Sequence, residues 1–182
     1  MAVTEQFGID DLDRQIIELL QDDPDMTHSA IAKKIGRSQP AVGARIHRLE
    51  EKGILSAQYG INFRIINELH LIKVELSTSN PNRVFEMSRY CPFIINCMRL
   101  SGENNLLALL VADDLKKIDM IIDYQFRNKE FVENVEMEII TDIQKDFILP
   151  VDLKIDNHEP QPNVDCAECA GCEKGNNYKT EG

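Results

Sequence analysis

The chain has 182 residues, 43% of them apolar, and 31 acidic against 20 basic side chains give it a net charge of −11. That length allows two modest cores. No apolar run nears the roughly 18 residues of a membrane span, and the start Met1-Ala2-Val3-Thr4-Glu5-Gln6 lacks the basic and apolar regions of a secretion signal, so the expected setting is cytoplasmic, with no membrane partner.

Asp10 and Asp11 can cap a first helix in which Leu12, Ile16, Leu19 and Leu20 recur at helical spacing, and Pro24 stops it. Thr27 can cap a short second helix with Ile31 and Ile35 inward, and Gly36 supplies the left-handed residue that ends it. Ser38 then caps a third helix, which tolerates Pro40 in its first turn and closes at Gly53. At 100° per residue, Val42, Ile46 and Leu49 form one stripe, with Pro40, Gly43, Ala44, His47 and Arg48 opposite. Ile54 to Ile61, with Gly60 at a turn, reads as a hairpin or wing.

From Leu69 the period changes to two, Ile72, Val74 and Leu76 alternating with Lys73, Glu75 and Ser77. Pro81 opens a helix through Val84, Met87 and Tyr90. Phe93 to Leu100 and Leu106 to Val111 read as strands, the second apolar on both faces and therefore central. A helix through Leu115, Ile118, Ile121, Ile122 and Phe126 and a strand through Val135, Met137, Ile139 and Thr141 follow. The order is that of the ferredoxin-like βαββαβ unit, whose open sheet face is most simply covered by a second copy in a homodimer or higher homo-oligomer. The fold class is α+β: a winged helix-turn-helix over 1–62, a ferredoxin-like sensor over 63–153 and an acidic, cysteine-bearing tail over 154–182 without periodicity.

Charge is unevenly spread. Residues 1–62 carry −3 and residues 63–182 carry −8, yet between Lys33 and Lys52 six cations (Lys33, Lys34, Arg37, Arg45, Arg48, Lys52) face only Glu50 and Glu51. A short helix, a Gly-containing turn and a second helix with a small, polar and basic outer face are what entry into the major groove of double-stranded DNA requires. The expected DNA-binding residues are Ser38, Gln39, Pro40, Gly43, Ala44, Arg45, His47 and Arg48. Small side chains permit close approach, cations neutralise phosphates, and Gln39, His47 and Arg48 are long enough to reach base edges. An ordinary solvated face on a helical hairpin is the competing reading.

Leu12-Asp13 with Ile16 to Leu20, Asp23-Pro24, Ile31-Ala32-Lys33-Lys34-Ile35-Gly36, Arg45-Ile46-His47-Arg48-Leu49-Glu50 and Gly53-Ile54-Leu55 resemble the signature of the Lrp/AsnC transcription regulators, over about residues 9 to 153. The resemblance implies DNA binding, dimers or higher oligomers, and a C-terminal domain of the RAM type that senses a small-molecule effector, often an amino acid. It also implies an effector site at Gly102, Glu103, Asn104 and Asn105, where the family usually reads Gly-Asp-Tyr-Asp. An amide at Asn105 cannot offer a full negative charge to an amino group, which counts against ordinary amino-acid sensing. A plain β-turn is the competing reading of this loop.

The tail holds Cys166, Cys169 and Cys172 in a C-x2-C-x2-C run. Three thiols so spaced, with Ala and Gly between them, select soft metals. The run resembles that of bacterial ferredoxins more than paired zinc knuckles, so the expectation is an iron–sulfur cluster of the 4Fe–4S type ahead of zinc. Cys91, followed by Pro92, is the first choice of fourth ligand. Cys97, a neighbouring subunit or an open position are the alternatives.

Two further functions compete with a regulator that responds to redox or metal status: an amino-acid-responsive regulator with structural zinc, and an electron-transfer or metal-carrier protein with a vestigial winged helix. No phosphate-cradling glycine loop and no nucleophile with an evident base points to an enzyme.

Overall fold

The computed structural model describes residues 7–153, and the chain divides into two units between Gln58 and Tyr59. That point lies ahead of the boundary expected after residue 62. The tail over 154–182, with Cys166, Cys169 and Cys172, lies outside the described residues. Among those described, no helix is long and apolar enough to cross a membrane.

In the first unit, α1 (Asp11–Asp22) begins at Asp10, whose carboxylate accepts from the amides of Leu12 and Asp13, while the Asp13 carboxylate accepts from the Asp10 amide. This reciprocal cap satisfies amides that a helix start leaves unpaired. Helix α2 (His28–Ile35) is capped by Thr27, which accepts from the Ala30 amide, and ends at Gly36 with φ 66°. A left-handed residue there explains why glycine occupies the position. Helix α3 (Gln39–Glu51) follows Ser38 directly. Ile16, Ile31, Ala32, Val42 and Ile46 form the buried cluster, with Leu19, Leu20, Met26, Ile35 and Leu55 packed around it.

The expected hairpin over 54–61 does not form. Residues 54–60 carry no strand; the amides of Ile54 and Leu55 fold back onto the Leu49 carbonyl. The short strand that follows, β1 (Ile61–Asn62), belongs to the second unit and pairs antiparallel with β6 (Ile148–Leu149), Ile61 opposite Leu149. A Cβ at Gly60 would sit 2.3 Å from the Leu149 carbonyl oxygen, so only glycine lets the two backbones approach. The Asn62 side chain accepts from the amides of Arg64 and Phe147, and Arg64 pairs with Asp146 at 2.9 Å.

The second unit is built on the antiparallel sheet β3-β4-β2-β5, from β2 (His70–Thr78), β3 (Ile94–Arg99), β4 (Leu106–Ala112) and β5 (Val132–Ile139). Two helices, α4 (Pro81–Ser88) and α5 (Leu115–Ile122), supply Val84, Ile118, Ile121 and Ile122 to a core shared with Ile72, Val74, Leu76, Leu106, Ala108 and Leu110. The βαββαβ order and the central place of β4 are as the alternation predicts. Helix α4 stops at Ser88, short of the half-exposed Tyr90, and α5 passes into a π-helical turn, Asp123–Arg127, rather than running on as an α-helix to Phe126.

Residues opposite one another across the ladder share a face. The registers Lys73↔Leu109, Glu75↔Leu107, Lys73↔Glu138 and Glu75↔Glu136 therefore place these side chains on the sheet face away from the buried core. Lys73 bridges Glu75 and Glu138 there. Leu107 and Leu109 are only half-buried and Met98 is exposed.

Candidate nucleic-acid interface

Helix α3 presents one outward stripe at the spacing of successive turns. Pro40, Ala44, His47 and Glu51 lie along it, all exposed, with Gln39 and Ala41 beside its start. His47 Nε2 stands 3.3 Å from Glu51. Ser38 occupies the N-cap position, but its hydroxyl makes no bond to a helix amide. The helix therefore begins with exposed, unfilled donors and the positive end of its dipole. Lys33, Lys34 and Arg37, on α2 and the turn before α3, are also exposed.

Three expected contact residues have other employment. A Cβ at Gly43 would lie 3.3 Å from His28 Nδ1, so the missing side chain lets α2 and α3 pack closely. Arg45 Nη1 meets Asp10 at 2.6 Å and Asp13 at 2.8 Å, and Arg48 Nη2 meets the other oxygen of Asp13. Arg48, expected on the free face, turns its guanidinium toward α1, where it pairs a carboxylate that is 0% exposed.

The backbone amide of Asp13, followed by Arg45, draws the Asp10 carboxyl down to about 2. Burial pushes the Asp13 carboxyl up, but the Asp10 amide, Arg45 and Arg48 together outweigh it and hold it below the usual carboxylate range. Reading α3 alone misses this anchor. Its signal is a carboxylate three residues before Ile16 and seven before Leu20, on the otherwise apolar stripe of α1, with two arginines spaced by three on α3.

The loop between β3 and β4 leaves Gly102 and Glu103 exposed. Asn105 turns its side-chain amide toward Thr78 of β2. Its Nδ2 donates to the Thr78 carbonyl at 2.8 Å and its Oδ1 accepts from the Thr78 amide at 3.0 Å, at the point where the β2–β5 register shifts. Asn104 joins Asn134 and Glu136 of β5. Of the expected metal ligands only Cys91 is described: it is 3% exposed, inside the apolar core. Cys97 is half-buried, and burial pushes its thiol up, away from the thiolate that metals prefer. Among the described residues no group of three His, Cys, Asp or Glu side chains is arranged to hold a metal ion.

Residues 9–50 match the AsnC-type helix-turn-helix domain. The transcriptional regulator LrpA of Pyrococcus horikoshii is 30% identical over 138 residues, spanning 72% of this chain and 96% of that protein. E. coli AsnC has the same fold, with a TM-score of 0.65 at 14% identity over 76% of this chain and 97% of its own. So does a feast or famine regulatory protein of M. tuberculosis solved in complex with L-methionine, with a TM-score of 0.65 at 22% identity over 74% of this chain and 92% of that one. Helix-turn-helix, sheet order and likeness along nearly the whole of the Pyrococcus regulator together place the chain in the Lrp/AsnC family of transcription regulators.

Proposed function

We propose that the chain recognises specific duplex DNA sites by laying α3 in the major groove, with Gln39 and His47 reading base edges and Ser38, Lys33, Lys34 and Arg37 contacting phosphates. The observation that carries this reading is the exposed stripe of Pro40, Ala44 and His47 at the open start of α3. Small residues permit close approach, and a polar residue at each end of the stripe supplies hydrogen bonds. The test is operator binding by a Gln39→Ala/His47→Ala variant. Each lost base contact is worth about 1–3 kcal/mol, so affinity for the operator falls tenfold or more while mixed-sequence DNA is bound nearly as before. Undiminished operator binding overturns the assignment.

The working unit in this reading is a homodimer or larger homo-oligomer formed over the sheet face that carries Leu107, Leu109 and Met98, where half-buried apolar side chains favour a second copy. A small-molecule effector is proposed at Gly102, Glu103 and Asn104, the class being suggested by the L-methionine complex of the mycobacterial neighbour. Asn105 then shapes the loop instead of touching the effector. The spacing of Cys166, Cys169 and Cys172 supports a thiolate-held iron–sulfur cluster, or zinc, that makes regulation responsive to redox or metal status. Cys91 completes such a site only if the sensor core opens, so the fourth position falls to Cys97, a second subunit or an exogenous ligand. Iron, zinc and sulfide analysis of the anaerobic protein and of a triple Cys→Ser variant decides it: equal metal content in the two refutes the site.

A further inference from the structure

The six cations between Lys33 and Lys52 are not one pool. Lys33, Lys34, Arg37 and Lys52 are exposed. Arg45 and Arg48 have only 30% and 42% of their side chains exposed, and their guanidinium groups converge on Asp13, whose two oxygens take one arginine each. Asp10 takes a second bond from Arg45. The Nε of Arg48 is buried without a hydrogen-bond partner, and Asp13 is that residue's only ion-pair partner among the described residues. The two arginines nevertheless belong to the helix that meets DNA, and Arg48 is one residue from the exposed His47.

A guanidinium at that position is an efficient phosphate ligand. Phosphate contacts are blind to sequence: they raise affinity for every duplex and make it steeply salt-dependent. Turning either arginine toward DNA would strip charge from a carboxylate with no access to water, and the buried partner resists that.

We propose that Asp13, assisted by Asp10, is a positioning residue that holds Arg45 and Arg48 off the phosphate backbone and so limits the sequence-independent part of duplex DNA binding. This rests on the DNA-binding reading above. Sequestration matters because a regulator searches among a vast excess of non-specific sites, and sequence-independent affinity sets how long it stays on each of them.

The test measures binding of the full chain to a mixed-sequence duplex and to sites selected from random duplex by the wild-type protein, each across a salt series. Asp13→Asn, with its fold verified by circular dichroism, binds the mixed-sequence duplex more tightly at low salt. Its plot of log affinity against log salt steepens by about 1 to 2, one for each arginine released. Each added contact corresponds to about a further three- to fourfold loss when salt is raised about fourfold. Affinity for the selected sites rises by a similar factor, because a phosphate contact is the same on every duplex.

Asp10→Ser retains a capping hydroxyl while releasing one bond of Arg45, and shifts the slope by up to about 1 in the same direction. Arg48→Gln leaves the wild-type slope unchanged. Where Asp13→Asn does not fold, these two variants decide. Unchanged or shallower slopes in the aspartate variants overturn the proposal, as does a slope reduced by about 1 in Arg48→Gln, which would place Arg48 on a phosphate already. A wild-type protein that selects no duplex at all defeats the DNA-binding reading itself, a result distinct from any of these.

Discussion

The two units hold their helices by different means. In the N-terminal unit six buried apolar side chains, Leu49 among them, form the core, and α3 is tied to α1 by Asp10 and Asp13 gripping Arg45 and Arg48. In the second unit eighteen buried residues join sheet to helices, and the ion pairs Lys73–Glu138 and Arg127–Asp119 lie near the surface. A small helical unit has too little apolar area to fix interhelical geometry by burial alone. Charge pairing supplies the direction that packing lacks, and a buried carboxylate accepts few alternative arrangements.

Deleting apolar volume tests the second unit's side of this contrast most severely. Leu110→Ala, at a fully buried position on the central strand, lowers stability by about 3–4 kcal/mol in a denaturant melt of the full chain. The loss belongs to the transition of the sheet-bearing unit, with the helical unit's transition unmoved. A shift in both transitions would break the comparison.

Gly60→Ala comes next. The added carbon meets backbone rather than a yielding side chain, so β1 and β6 separate at a cost of about 2 kcal/mol. Hydrogen exchange reads it directly, since the Phe63 amide, bonded to the Phe147 carbonyl at 2.9 Å, loses protection.

Asn105→Ala is smaller. It leaves the Thr78 amide and carbonyl without their partner, for about 1–2 kcal/mol. The measurement is again the melt of the sheet-bearing unit.

Acid produces the smallest effect at ordinary pH and the clearest separation of the two units. Asp10 and Asp13 have folded-state values below the ordinary 3.8. Their contribution is therefore fully present above about pH 4 and is lost as pH falls from 3.8 toward the value of about 2 at Asp10. Helix signal from the N-terminal unit should decline within that window, and Asp10→Ser should weaken the decline. An acid profile unchanged in that variant would show that Asp10 contributes nothing to it.

Much of the architecture was legible because it is periodic. Gly36, Pro40 and Pro81 punctuate helices where their backbone constraints dictate, and the alternation from Leu69 onward marks β2 and the order of the sheet. What escaped depends on partners distant in the chain. The segment 54–61 has the look of a hairpin, but Ile61 pairs with Leu149, and nothing local encodes that choice. Arg48 falls on the outward side of an isolated α3 and is redirected by a carboxylate on α1. Asn105 sits in a Gly/Asn-rich turn, yet its amide completes the irregular end of β2. Cys91-Pro92 matched a cluster-ligand pattern in sequence, and its thiol is packed in the core. The α3 stripe was readable because exposure follows from helix geometry alone.

The pairing of β1 with β6 has a topological meaning as well. The first and last strands of the second unit among the described residues are hydrogen-bonded neighbours, so the polypeptide from Ile61 to Leu149 forms a loop whose two ends meet. Such a unit has no privileged beginning. A circularly permuted second unit, its old ends joined by a short linker and its new ends placed at the exposed Gly102–Glu103 bend, retains every described strand neighbour of the original, and its chain order becomes independent of its architecture.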